Sequence, residues 1–269
     1  MIPEHPSDPP VQTAQTPTGP FSYTDEGEGP VVLAVHGLPG SVRDFRWLAP
    51  ELHQIRFIRV DQPGFGGTPL STEPGARLAP RGEFLSHVLD ALDIREAVVL
   101  GHSFGGALAT ELAAREPVRV KGLALLASVG IRDHRGRRSF GPWKTLSMAL
   151  RVGPLRRRLM GRLRAGYIKA GFPKSLEDDA LVNTVHRVAW LSFARHKANL
   201  SALEVPTLVA WTEDDPLVEP AISEELYWHT STGPRIAFAD GGHNLQKTRA
   251  IELGQSLSAW VPTLVAGGV

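Results

Sequence analysis

Short apolar runs recur along the chain, and each of them ends where turn residues begin. The six runs cover residues 31–37, 55–64, 97–103, 120–128, 207–215 and 235–243. Four are nearly continuous in apolar residues, as expected of parallel strands that helices cover on both faces. Helical patterns lie between the runs at 81–93 and 107–117, and after the last run at 248–261. This alternation predicts an α/β fold: a doubly wound, mostly parallel β-sheet flanked by helices.

The alternation breaks between residues 128 and 200, where no strand-like run occurs and three helical stretches follow one another. We interpret 128–200 as a helical cap inserted into an α/β core formed by 21–127 and 201–269. The first twenty residues contain six prolines and no apolar stretch, so we expect 1–20 to form a disordered leader.

Charge is distributed unevenly along the chain. The 269 residues contain 29 Lys and Arg and 28 Asp and Glu, a net charge of +1 that does not suggest a nucleic-acid partner. The cap contains 16 basic and 4 acidic residues, a net of +12, so the remainder carries −11. The absence of cysteine excludes disulfides and a thiolate nucleophile. Without a run of about eighteen apolar residues we expect no membrane span and a cytoplasmic protein.

The basic cap has three interpretations. Leu155, Leu159, Leu163 and Tyr167 recur every fourth residue, which predicts an amphipathic helix whose apolar stripe covers a site while its arginines are solvated. The same charge would also attract acidic substrates, or dock the cap peripherally on an anionic membrane. Aromatic side chains of the cap either line a substrate pocket or form the core of the cap. They are Phe140, Trp143, Tyr167, Phe172, Trp190 and Phe193.

The third apolar run ends in Gly101-His102-Ser103-Phe104-Gly105, and a helical pattern follows it. A serine on so sharp a strand-to-helix turn has strained backbone angles, and glycines two positions away avoid collisions. The turn would expose the serine hydroxyl at a helix N-terminus, where the amide of Phe104 can stabilise an oxyanion. The sequence therefore predicts a nucleophile at Ser103, although an incidental serine in a glycine-rich turn is the alternative.

Partners for such a nucleophile follow the later runs. Asp214 and Asp215 end the fifth run and His243 ends the sixth, which gives the order Ser, Asp, His. An imidazole activates a serine hydroxyl by taking its proton, and a carboxylate fixes the imidazole tautomer. Because ligands bind at the carboxyl ends of strands in such sheets, these side chains should meet there. Asp133, after the fourth run, is a further candidate for the acid.

Five ordered stretches carry a resemblance to a known family: "VHGLPG" (35–40), "DQPGFGGT" (61–68), "GHSFGG" (101–106), "VPTLVAWTEDDPLVEP" (205–220) and "DGGHNLQ" (240–246). Residues 21 to 262 resemble the α/β-hydrolase fold. Within it they are similar to the capped branch that includes small esterases, cofactor-free haloperoxidase-like proteins and carbon–carbon bond hydrolases.

The resemblance implies a role for individual residues. It places the second oxyanion amide at Leu38, after His-Gly, and the acid of the triad at Asp215, although Thr212 stands where the family has glycine. It implies no metal and no organic cofactor, and a structural role for "DQPGFGGT". The expected activity is hydrolysis of a small-molecule carboxylic ester through an acyl-enzyme intermediate, with Ser103, His243 and Asp215 as the triad.

Other members fit less well. Haloalkane dehalogenases and epoxide hydrolases use an aspartate nucleophile where this chain has Ser103, and proline iminopeptidases need acidic residues in the cap. Carbon–carbon bond hydrolases act on anionic dienoates, which suit a basic cap, but they place tryptophan after the catalytic histidine where this chain has Asn244. Two alternatives stay open: hydrolysis of a C–C bond beside a ketone on an anionic substrate, and a receptor-like protein whose triad captures ligand with negligible turnover.

Overall fold

A β-sheet with helices on both faces forms the core of the computed structural model, which describes residues 8–72, 75–139, 142–169, 172 and 174–265. Its strands are β1 Gln12–Thr16, β2 Gly19–Glu26, β3 Val31–Val35, β4 Arg56–Val60, β5 Ala97–His102, β6 Val120–Leu126, β7 Thr207–Thr212 and β8 Arg235–Phe238. The spatial order is β1-β2-β4-β3-β5-β6-β7-β8. The strands from β3 to β8 run parallel, and only the β1–β2 and β2–β4 pairs are antiparallel. The predicted α/β fold is confirmed.

Ten α-helices occur in the described ranges. They are α1 Leu78–Ala91, α2 Phe104–Arg115, α3 Arg135–Arg138, α4 Trp143–Ala149, α5 Gly153–Lys169, α6 Asp178–Ala189, α7 Phe193–Ala202, α8 Pro220–Trp228, α9 Leu245–Thr248 and α10 Ala250–Val265. Short 3-10 helices cover Val42–Phe45, Ala49–Glu51 and Leu70–Thr72.

Alternation along each strand divides the core into two apolar clusters. In β3, Leu33 and Val35 belong to the cluster that also contains side chains of α1, α2 and α7, whereas Val32 and Ala34 belong to the cluster with side chains of α10. Because both faces of the sheet are covered, successive residues of the central strands β3 to β7 are nearly all buried. This is the physical reason for the nearly continuous apolar runs in the sequence.

The expected leader is partly wrong. Residues 12–16, predicted to be disordered, form edge strand β1, which pairs antiparallel with β2 from Gln12–Tyr23 to Thr16–Gly19. The polar run QTAQT gave no apolar signal because a solvent-exposed edge strand needs few buried side chains. Thr16 closes the turn by donating its hydroxyl to the carbonyl of Gly19 at 2.8 Å. Residues 1–7 lie outside the described part of the chain.

The segment between β6 and β7 contains only helices among its described residues. Side chains of α4, α5 and α6 share a third apolar cluster, separate from the two clusters of the sheet. Helix α7 differs, because Leu200 belongs to a cluster of the sheet and Arg195 forms an ion pair with Glu111 of α2 at 2.6 Å. The self-packed helices therefore lie within 143–189, and the predicted cap boundary at residue 200 includes a helix that packs on the core. None of the described helices has the length and apolarity needed to cross a bilayer.

Candidate active site

Ser103 occupies the turn between β5 and α2, with φ 54° and ψ −121°. A residue with a Cβ is strained at this positive φ, so the surrounding structure must hold it there. A Cβ on Gly101 would lie 2.5 Å from the carbonyl oxygen of Gly105, and one on Gly105 would collide with the carbonyl oxygen of Val35. Gly101 therefore allows β5 to approach the first turn of α2, and Gly105 allows α2 to approach the end of β3.

Three of the predicted site residues form one hydrogen-bonded chain. Ser103 Oγ lies 2.9 Å from His243 Nε2, and His243 Nδ1 lies 2.8 Å from Asp215 Oδ2. The carboxylate can only accept, so Nδ1 carries the proton and Nε2 accepts from the serine hydroxyl. The other oxygen of Asp215 accepts the amides of Leu217 at 2.7 Å and Val218 at 3.0 Å. The carboxylate that orients His243 is thus itself fixed.

Burial and hydrogen bonding act in opposite directions on Asp215. Its side chain is 1% exposed, and this burial alone would raise the pKa. Hydrogen bonds from His243 and from the amides of Val218 and Leu217 outweigh burial and lower the pKa below its ordinary value. Asp215 is therefore ionised at neutral pH and can stabilise a positive charge on His243.

The two other acids considered from the sequence lie elsewhere. Asp214 is exposed, and its Oδ1 accepts the amide of Gly242 at 2.7 Å. Asp133 forms an ion pair with Arg137 one helical turn along the chain. Neither is hydrogen-bonded to His243, so the structure brings Asp215 alone of the three acids to Nδ1.

The two residues predicted to supply the oxyanion amides line the pocket in front of Ser103. Leu38 and Phe104 line the same pocket as Ser103 and His243, and a Cβ on Gly37 would lie 3.0 Å from the Cβ of Ser103. Phe104 is the first residue of α2, where an amide has no carbonyl one turn earlier to bond. His36 holds the loop before Leu38: its Nε2 accepts the Gln62 amide at 3.0 Å, and its Nδ1 donates to the Gly37 carbonyl at 2.7 Å.

The loop that carries His243 is held by three side chains whose roles the sequence did not reveal. His102 Nε2 donates to the carbonyl of His243 at 2.9 Å, Thr212 donates to the carbonyl of Gly242 at 2.9 Å, and Asp214 accepts the amide of Gly242. The threonine at position 212, where the related family has glycine, therefore has a structural use here. The signal that could have indicated these roles is position at a strand end: His102 is the last residue of β5, Thr212 is the last residue of β7, and Asp214 lies two residues further on.

His102 is neutral in this arrangement. Burial lowers the pKa of its imidazole to about 3, and the neighbouring His243, whose ring centroid lies 5.0 Å away, adds to the effect. The neutral ring carries its single proton on Nε2, where it bonds the His243 carbonyl. His102 thus links the elbow directly to the histidine loop without placing a second positive charge beside His243.

The pocket in front of Ser103 is mostly apolar, and cap and core both contribute to it. Its walls include Leu38, Val129, Trp143, Tyr167, Phe172, Val188, Leu191 and Leu217. Of the six cap aromatics, Trp143, Tyr167 and Phe172 line the pocket, Trp190 is at the surface, and Phe193 packs under the Arg137 guanidinium. Phe140 lies outside the described residues.

Arg137 is a cation in the pocket wall that the sequence did not single out. Its guanidinium pairs with Asp133, while its buried Nε has no hydrogen-bond partner among the described residues. Within those residues no three His, Asp or Glu side chains converge as a metal site. The pocket thus offers an apolar wall, one guanidinium and the Ser103–His243–Asp215 chain.

Comparison with known proteins assigns the family. The model of the alpha/beta hydrolase fold matches residues 30–250, so the chain belongs to the α/β-hydrolase family. It is 27% identical over 259 residues to the dihydrolipoyllysine-residue acetyltransferase component of the acetoin cleaving system of Pseudomonas putida. The aligned part is 90% of this chain and 65% of that protein. The chain is 27% identical to a haloalkane dehalogenase of Mesorhizobium japonicum, over 91% of this chain and 89% of that protein.

A shorter and closer match is 39% identical to the 2-hydroxymuconate semialdehyde hydrolase of a Pseudomonas strain, over 40% of this chain and 39% of that protein. Among solved structures, a haloalkane dehalogenase of Bradyrhizobium elkani superposes with a TM-score of 0.76 at 22% identity, covering 96% of this chain and 99% of that chain. A thermophilic esterase of Thermogutta terrifontis superposes with a TM-score of 0.75 at 21% identity, covering 95% of this chain and 99% of that chain. At such identities the structures show the shared fold alone.

Proposed function

We propose that the protein is a serine hydrolase that cleaves carboxylic esters through an acyl-enzyme intermediate. The observation that carries the proposal is the unbroken chain from Ser103 Oγ through His243 to Asp215, with separations of 2.9 and 2.8 Å. A serine hydroxyl is a weak nucleophile unless a base takes its proton, and this chain supplies that base in the required tautomer.

The proposed reaction proceeds in two halves. Ser103 Oγ attacks the ester carbonyl carbon as its proton passes to His243 Nε2, and the amides of Leu38 and Phe104 bind the resulting oxyanion. The tetrahedral intermediate collapses with cleavage of the C–O bond, and the imidazolium gives its proton to the departing alcohol. Water then repeats the sequence on the acyl-enzyme, which releases the acid and restores the Ser103 hydroxyl.

The identity of the nucleophile favours esters over haloalkanes. Displacement of a halide from carbon by the dehalogenase route uses a carboxylate nucleophile, and here the residue at the elbow is Ser103, with φ 54°. An attack on a carbonyl also makes use of the two adjacent amides, because the charge then develops on an oxygen. The apolar pocket wall suits an uncharged acyl chain.

The test is steady-state hydrolysis of p-nitrophenyl esters with acyl chains from about two to twelve carbons. We expect Ser103→Ala to lower kcat by about 10⁴-fold or more, and the unaltered enzyme to show an optimum chain length set by the pocket. Ser201→Ala, an exposed serine on α7, is the matched control and should hydrolyse at the unaltered rate. Equal slow rates for the unaltered chain and Ser103→Ala would refute the proposal. Covalent labelling of Ser103 without turnover would instead favour a receptor-like protein.

One observation favours a second candidate, hydrolysis of a C–C bond beside a ketone on an anionic substrate. Arg137 lines the pocket and places a guanidinium there, which also pairs with Asp133. A carboxylate on the substrate would bind there by a charge-assisted hydrogen bond. Turnover of a carboxylate-bearing dienone faster than any p-nitrophenyl ester, with a raised KM in Arg137→Gln, would select this reaction. No turnover of the dienone would exclude it.

A further inference from the structure

Four exposed apolar side chains belong to the cap, and a fifth, Leu70 of the core, lies beside it across a shared groove. Met148 is 68% exposed, Val152 49%, Leu155 44%, Leu70 48% and Trp190 36%. The other large apolar side chains that are exposed in the described residues, Val11, Val118, Trp228 and Ile251, belong to the core. Single exposed apolar residues are ordinary, but a group of them needs an explanation.

Arg151 connects the members of this group. It shares one surface groove with Leu70 and a second groove with Trp190. Met148 and Val152 flank it in the turn between α4 and α5, where the Arg151 amide donates to the Met148 carbonyl at 3.2 Å and the Val152 amide donates to the Ala149 carbonyl at 3.1 Å. Leu155 follows in the first turn of α5. We call these five apolar residues and Arg151 the cap face.

The charge around the cap face is uncompensated. Between Asp133 and Glu177 the sequence has twelve Lys and Arg residues and no acid. On α5, Arg156 and Arg164 pair with Asp179 and Asp178. In the described part of the chain no acidic side chain lies within ion-pair distance of Arg151, Arg157, Arg158 or Arg162. Positive charge is therefore available to a partner from outside.

We infer that the cap face docks the protein onto an anionic lipid surface. A polyanion in water would satisfy the arginines but would leave five apolar side chains exposed, whereas a lipid surface accepts both sets. Trp190 adds to this, because tryptophan favours the interface of a bilayer, and the cations of Lys144 and Arg77 lie 5.5 and 5.8 Å from its ring. The inference concerns binding and goes beyond the proposed reaction.

Docking there would place lipid next to the roof of the pocket. Helix α4 carries Met148 and also Trp143, and α5 carries Leu155 and also Tyr167. Trp143 and Tyr167 line the pocket in front of Ser103, so each helix joins the cap face to the pocket wall. An apolar ester held in a lipid layer would then lie close to the site that the proposed function assigns to its hydrolysis.

The test is co-sedimentation of the whole chain with vesicles of phosphatidylcholine, with and without phosphatidylglycerol. We expect binding only when the anionic lipid is present, and a decrease when salt is raised because screening weakens the attraction. Arg158 and Arg162 are exposed on the same side of α5 as Leu155, and Arg158→Gln with Arg162→Gln should lower the partition coefficient about thirtyfold. Met148→Asp with Leu155→Asp should lower it about tenfold or more, since the inserted side chains become charged.

Matched variants separate the cap face from general effects. Trp228→Asp, an exposed apolar residue of α8, and Arg95→Gln, an exposed arginine outside the cap, should bind as the unaltered chain does. Ser103→Ala should also bind fully, so failure of the proposed reaction is distinguishable from failure of docking. If the unaltered, folded chain does not bind to anionic vesicles, the inference is overturned. Binding that the Asp variants leave unchanged, or equal competition by a soluble polyanion such as heparin, would also overturn it.

Discussion

Among the described residues, a serine hydroxyl lies within hydrogen-bond distance of an imidazole once in the core and once in the cap. In the core, Ser103 lies 2.9 Å from His243 Nε2 at a strained turn, and Asp215 bonds the other nitrogen. In the cap, Ser147 lies 2.7 Å from His186 Nδ1, and both residues are inside regular helices. The distance between hydroxyl and imidazole is therefore not what distinguishes a nucleophile.

The surroundings of the two pairs differ in charge and in backbone. Burial lowers the pKa of His186, and the positive charges of Arg151, Arg156 and Arg187 add to that effect, so an imidazolium would be disfavoured. In the described residues no carboxylate is hydrogen-bonded to His186. His243 has the carboxylate of Asp215, and Ser103 shares its pocket with Leu38 and Phe104, which would supply the two amides. The core pair thus has the surroundings that the proposed reaction requires and the cap pair does not, while cap residues form part of the pocket wall.

We expect the largest difference in kcat between variants of the two histidines. His243→Ala removes the base and should lower kcat for a p-nitrophenyl ester by about 10⁴-fold or more. His186→Ala breaks the cap pair and should change kcat by less than about tenfold, because it lies outside the pocket in front of Ser103. Steady-state rates of the two variants measure the difference, and their melting temperatures show whether both are folded. Comparable losses in the two variants would remove the distinction between core and cap.

Variants of the adjacent acids Asp214 and Asp215 should show the next largest difference in kcat. Asp215→Asn should lower kcat by about 10³- to 10⁴-fold, since the amide would favour the wrong tautomer of His243. Asp214→Asn keeps an oxygen that can accept the Gly242 amide, so we expect a loss of less than about tenfold. Rates for the two variants on the same ester measure this. The reverse order of losses would assign the acid to Asp214.

Two glycine-to-alanine substitutions compare how tightly the backbone is packed in the elbow and in the cap. Gly105→Ala places a Cβ 2.6 Å from the carbonyl oxygen of His36 and closer still to that of Val35, so it should lower the free energy of unfolding by about 3 kcal/mol or more. Gly161→Ala, on α5, meets no atom within 4 Å and should raise the free energy of unfolding by about 0.5–1 kcal/mol. Urea denaturation measures both. A stable Gly105→Ala protein would contradict the geometry of the elbow.

The smallest effect concerns acid stability. Folded His102, with a pKa of about 3, stays neutral where the unfolded chain binds a proton below about pH 6.5. Stability from this group is therefore present at neutral pH and is lost as pH falls from 6.5 towards 3. His102→Gln should reduce the slope of unfolding free energy against pH by about 1.4 kcal/mol per unit between pH 6 and 4. An unchanged slope would mean that His102 is charged in the folded protein.

Much of the core could be predicted from sequence because burial on both faces leaves a plain signal. All six apolar runs contain a strand, and the glycines at 101 and 105 predicted the turn between β5 and α2. Strand β1 could not be predicted in this way, since QTAQT is an edge strand stabilised by pairing rather than by apolar burial.

Some residues of the candidate site could be predicted from the sequence and others could not. Ser103 and His243 could be proposed from motif and order, whereas the choice of Asp215 over Asp214 depends on which carboxylate faces Nδ1, a matter of side-chain direction between neighbours. The contacts of His102 and Thr212 with the histidine loop join residues far apart in the chain. Arg137 in the pocket wall likewise depends on how the cap helices pack over the core. Such long-range contacts leave no local pattern.

The proposed function requires Ser103, activated through His243, to be the nucleophile. Mass spectrometry of the intact chain after incubation with a fluorophosphonate tests it most directly, because the reagent traps an activated serine as a stable covalent adduct. We predict one adduct per chain, located on Ser103 after proteolysis, none on Ser103→Ala, and a greatly slowed reaction in Asp215→Asn. An adduct on Ser147 or another serine, or equal labelling of the unaltered chain and Ser103→Ala, would contradict the account.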